Sequence, residues 1–147
     1  MRVTFLPLTA DTATRTGARA VLRRAVEADA TADACWASLL GGCASAKRWG
    51  LDARLRQLSL ATCEFAGRTW WFGDGTAHRR RVAHAQGAIE EAITDGDGPE
   101  FARAFAGYDN VMACVLVAAS NHRHTARPAP ASQPAAGVRG GDSSVRS

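Results

Sequence analysis

The sequence predicts an all-α protein, an irregular bundle of four to five antiparallel helices with a disordered C-terminal tail. Three observations lead there. Apolar residues recur at intervals of three and four over most of residues 15–120. Two turn clusters, Gly73-Asp74-Gly75 and Asp95-Gly96-Asp97-Gly98, interrupt that rhythm. From Asn121 the rhythm stops, and residues 126–147 are rich in Pro, Gly and Ser. The length of 147 residues fits one domain, expected at 1–120, with the tail at 121–147. A domain near this size buries roughly two-thirds of its unfolded surface, enough for a core without disulfides or metals.

Taken in order, residues 1–9 hold Val3, Phe5 and Leu6 before Pro7, which suggests a short extended segment or packed arm. A first helix is expected over 15–30, with Val21, Leu22, Ala25 and Val26 on one face. A second, over about 32–47, carries Cys35, Trp36, Leu39, Leu40 and Cys43. The Gly41-Gly42 pair inside it reads as a kink or a close helix contact, because glycine costs helix stability. Residues 51–66 give a stripe of Leu51, Leu55, Leu58, Thr62 and Phe65. Thr76 is expected to cap a helix over about 77–94 that turns Val82, Ala85, Ile89 and Ile93 inward. Arg79, Arg80, Arg81, Glu90 and Glu91 then face water. Asp97 with Glu100 three residues on resembles a capping box, with Pro99 in the first turn. The helix it opens, about 98–120, presents Phe101, Phe105, Tyr108, Met112, Val115 and Ala119, the longest apolar stripe and the expected centre of the core.

Charge and cysteines narrow the function classes. Residues 1–120 hold 14 Lys/Arg and 13 Asp/Glu, whereas the tail holds 4 Arg and 1 Asp. The pI of about 9.3 is therefore mostly a property of the tail, and a near-neutral body argues against a dedicated nucleic-acid binder. Lys47 stands alone against 17 arginines, the mark of a GC-rich coding sequence before any function. Cys35, Cys43, Cys63 and Cys114 form no C-x-x-C pair and sit in apolar or Ala-rich stretches, where reduced, buried thiols are expected. The apolar run Val3–Leu8 is short for a signal peptide, and Val111–Ala119 is far short of the roughly 20 residues that span a bilayer. A cytoplasmic protein without a membrane segment is the expectation.

Few motifs carry chemistry. Gly73-Asp74-Gly75 has neither the third glycine of a dinucleotide fingerprint nor the Gly-Lys-Ser/Thr of a phosphate loop. A calcium loop starting at Asp95 would need a bidentate Glu where Ala106 stands. His78, His84, His122 and His124 have no zinc-module spacing. No cofactor and no metal are therefore expected.

Two segments remain. Trp70-Trp71-Phe72 cannot all face one way on a helix, so at least one is expected to emerge from the core. Arg79-Arg80-Arg81, with His84, opens a helix where positive charge opposes the macrodipole, a cost tolerable for a partner. Together Trp70, Trp71, Phe72, Arg79, Arg80 and Arg81 form the expected contact surface of a non-enzymatic helical interaction or regulatory module with a protein partner. Homodimerisation is compatible with that reading.

Two alternatives stand beside it. Arg79, four residues, then His84 resembles the arginine-to-histidine motif of the HEPN ribonucleases, small helical bundles that dimerise around a composite site. The resemblance implies that His84 moves a proton from a ribose 2′-hydroxyl while Arg79 stabilises phosphate charge. It covers this motif and the helical size alone, and on an ideal helix the two residues lie about 140° apart. The other alternative is sequence-independent nucleic-acid association through the arginine run and the basic tail.

Overall fold

The structure, a computed structural model, describes residues 4–42 and 50–126. They form six helices and no strand: α1 (Pro7–Thr16), α2 (Arg19–Leu40), α3 (Leu51–Ala66), α4 (Arg68–Phe72), α5 (Thr76–Asp95) and α6 (Gly98–Ala126). Cys43, Lys47 and the expected tail from residue 127 lie outside the described residues.

The all-α expectation holds, with the N-terminal third divided differently. Pro7 opens a helix instead of ending an extended arm: it occupies the first helical position, where its missing N–H costs nothing. That helix ends at Gly17, whose φ of 73° is the left-handed conformation glycine adopts freely. The Ala18 N–H then reaches back to the Ala13 carbonyl at 2.8 Å. The two helices expected over 15–47 are one continuous α2, because the Ala-rich run from Ala28 to Ala37 contains no stop signal. Gly41-Gly42 terminates α2 and does not kink it. Its buried line is Val21, Ala25, Ala28, Ala32, Cys35 and Leu39, which leaves Val26 and Leu40 exposed.

Helix α6 is the central element and packs on α5, α1, α3 and α2. Phe101, Phe105, Tyr108, Met112, Val115 and Ala119 are wholly buried. Full burial of each larger side chain contributes roughly 2–3 kcal/mol, so this stripe dominates the core. The helix is long and apolar enough by composition to cross a membrane, yet its apolar side is spent on its neighbours here. Asp97 caps it as expected, accepting the Glu100 N–H at 3.0 Å. The Glu100 side chain turns to Arg103 instead of completing a capping box. The helix also runs past Ser120, so His122 and His124 belong to its last turns.

The N-terminus of α1 is held by two buried carboxylates from distant helices. Asp29 of α2 accepts the N–H groups of Phe5 and Leu6 at 3.0 and 3.1 Å. Asp109 of α6 accepts the Leu8 N–H at 3.0 Å, the Thr9 N–H at 2.8 Å and the Thr9 hydroxyl at 2.7 Å. Every backbone donor from Phe5 to Thr9 has a partner in this way, since Pro7 carries none. The arrangement sets α1 beside α6 in the same direction, with Thr9 at Asp109 and Thr16 near Ser120.

The Tyr108 hydroxyl is buried without a well-formed hydrogen bond. Burial pushes its ionisation well above the ordinary phenol range, and the facing Ser59 side chain opposes that only in part.

Candidate interaction surface

The aromatic trio is split by a helix that its spacing did not reveal. Gly67 and Gly73 bracket the short α4, which turns Trp70 and Trp71 into the core and leaves Phe72 58% exposed. The Trp70 carbonyl accepts the N–H groups of Gly73 and Gly75, the latter at 2.6 Å. A Cβ at Gly75 would sit 2.7 Å from the Trp70 ring, so the turn into α5 closes only over a glycine. Helix α5 then begins at Thr76 itself. The Thr76 hydroxyl donates backward toward the Phe72 and Gly73 carbonyls and caps no N–H, contrary to the capping role expected of it.

Trp70 also gathers two of the four histidines. The rings of His78, from the first turn of α5, and His122, from the end of α6, stack on it with centroids 5.8 and 5.9 Å away. Neither is placed to share a metal with enough other ligands: among the described residues no group of three or more His, Cys, Asp or Glu could hold an ion. Of the thiols, Cys35 and Cys63 are buried. Burial pushes the Cys35 thiol up to about 11. Cys114 is exposed, against the expectation of burial, because it lies on the outer side of α6.

The arginine run separates into two parts. Arg79 is half-buried: its Nε donates to the Trp71 carbonyl at 3.3 Å and its guanidinium lies 5.2 Å from the Phe72 ring centroid. Arg80 and Arg81 are exposed, and neither forms an ion pair among the described residues. Together with His84 they edge a groove of about 530 Å³ between α5 and α6, whose floor is Ala85, Ala88, Ala104, Gly107 and Val111. Arg103 and Glu100, paired with one another, close its far end. Arg79 does not line this groove. Within one chain, therefore, the two residues of the arginine-to-histidine motif do not share a site.

The groove has the chemistry of a docking surface. An apolar floor of small side chains removes water cheaply from a docked surface, and unpaired guanidiniums at its edge offer directional donors to carboxylates. The residues lining the groove include His84 and Glu100 but no Ser, Thr, Cys or Lys. The sequence showed Arg80 and Arg81 but not the floor, because alanine and glycine at 85, 88, 104 and 107 carry little hydrophobic signal and become a groove only when α5 and α6 pair. Comparison with family models, curated proteins and solved structures finds no match for the chain.

Proposed function

We propose that the chain is a non-enzymatic helical interaction module that meets a protein partner through the outer face of α5 and the adjoining α5–α6 groove. The observation that supports this reading is the pair Arg80 and Arg81, exposed and unpaired at the edge of an apolar groove. Two solvated guanidiniums with no carboxylate of their own are available to carboxylates on a partner, and Arg is enriched where protein interfaces form. Of the surface expected from sequence, Arg80, Arg81 and the exposed Phe72 remain available to a partner. Trp70 and Trp71 contribute by holding the start of α5 in place, and Arg79 by tying α5 to α4.

Affinity capture from the source cell extract tests the reading, with wild type compared against R80E/R81E after nuclease treatment. Loss of a stoichiometric protein from the variant, with helical circular dichroism intact, is the expected result. Identical recovery by both proteins would remove this face from consideration. Recovery of nucleic acid alone from wild type would replace the protein partner with a phosphate backbone.

A further inference from the structure

We propose that the partner of this face is a second copy of the chain, docked with its α5 antiparallel to the first. The proposal rests on the reading above and names the occupant. Arg80, His84, Gly87 and Glu91 follow one another at spacings of four, three and four, so they share one line along α5, and all four are exposed. That line is basic at its start and acidic at its end. Beside it, on one flank, lie Arg81 and Asp95, again basic then acidic and again exposed. Among the described residues none of Arg80, Arg81, Glu91 and Asp95 forms an ion pair.

This order is the reverse of what a single helix favours: α5 has no acidic residue in its first turn and no basic residue in its last. An antiparallel copy reverses the sense of both charges and dipole. A parallel copy would set arginine on arginine. With the two-fold axis at Gly87, Arg80 comes within one helical turn of the second copy's Glu91. The same rotation keeps each flank on its own side, so Arg81 comes within about one turn of the second copy's Asp95. Symmetry repeats both pairs. The crossing point is suited to close approach: a Cβ built on Gly87 would meet nothing within 4 Å. A glycine in the middle of a helix weakens it, and none of the described residues occupies the space it leaves. A contact of one helix on another, with exposed ion pairs, gives a reversible and salt-sensitive dimer rather than a permanent one.

Sedimentation velocity on the full chain tests the proposal, using wild type, the acidic variant R80E/R81E, the basic variant E91R/D95R and their equimolar mixture. Wild type is expected to dimerise reversibly, with Kd raised about tenfold or more between low and high salt. Each variant alone is expected to be monomeric, and the mixture to recover the dimer, which also shows that both are folded. G87K, in which a good helix former places like charges at the crossing, is expected to be monomeric with its helical signal retained. Wild type that stays monomeric at sub-millimolar concentration, or variants that dimerise unchanged, would overturn the proposal. If wild type is monomeric while R80E/R81E still loses a captured protein, the interaction face stands and only its occupant is wrong.

Discussion

The two ends of the charge inventory behave differently. At the start of α1, Asp29 and Asp109 are buried and surrounded by donors, with Asp109 alone accepting three hydrogen bonds. On α5, Arg80, Arg81, Glu91 and Asp95 are exposed and form no ion pair among the described residues. A buried charge persists only where its surroundings complete it, so the first set explains the architecture. An exposed charge needs no completion to survive, so the second set is open to a partner. Polar groups finished within the chain mark structure, and those left unpaired on its surface are free to meet a partner.

The largest effect should come from breaking the finished region. Asp109→Ala leaves the Leu8 and Thr9 donors facing an apolar gap, and about 3–5 kcal/mol of unfolding free energy should be lost in urea titration. Asp109→Asn keeps one acceptor and should lose about half as much. An equal and small loss in both would mean that water reaches the start of α1.

Alkaline pH should erode the interior next. Both Tyr108 and Cys35 ionise at higher pH when folded than when unfolded, so the folded state holds more protons. Their contribution is complete below the unfolded values, about 8.5 for the thiol and 10 for the phenol, and declines as pH rises through and beyond them. Tyr108 is the only tyrosine, so its ultraviolet ionisation signal should coincide with loss of helical circular dichroism. At neutral pH Tyr108→Phe should stay within about 1 kcal/mol of wild type, because it removes a hydroxyl without a well-formed hydrogen bond. Ionisation that precedes unfolding would show the phenol to be reachable by hydroxide in the native state.

Thiol labelling separates inside from outside by rate. Mapped by mass spectrometry under native conditions, Cys114 should be alkylated before Cys35 and Cys63, which stay protected until the chain unfolds. Comparable early labelling of Cys63 would mean that α3 opens locally.

The smallest stability effect should come from the surface. Arg80→Gln with Arg81→Gln should change unfolding free energy by no more than about 0.5 kcal/mol at a protein concentration where the chain is monomeric. A loss above about 2 kcal/mol would make these arginines structural and remove the contrast between the two regions.

Much of this was legible in the sequence. The stripes on α3 and α6 have apolar side chains at most core positions, Thr62 and Asp109 being the polar exceptions, so their helices and buried faces could be read from spacing alone. Residues 15–47 could not be divided correctly, because alanine forms helix and fills tight contacts while carrying almost no amphipathic signal. Helix α4 was hidden by its length, since five residues are too few for periodicity to register. Asp109 was within reach: it lies four residues from Phe105 and three from Met112, on the buried side of the strongest stripe in the chain. A carboxylate in that position needs donors from elsewhere, although spacing alone could not identify them as the backbone of α1. The interaction face was half legible. Its charges stand in the sequence, but which arginine is tied down and which is free depended on where the Trp71 carbonyl and the Phe72 ring came to lie.

The hold on α1 also bears on the order in which the chain folds. Thr9 and Asp109 are separated by 100 residues, so the hydrogen bond between them closes most of the domain into a single loop. Such a contact gains nothing until α2 and α6 are already side by side, because its entropic cost must be met first. The α1–α2 and α5–α6 pairs, each joined through two residues, are the local units that can form early, and the docking of α1 on α6 comes later. Substitutions at Asp109 should therefore speed unfolding and leave the folding rate nearly unchanged, which makes this carboxylate the fastener that keeps a folded chain from reopening.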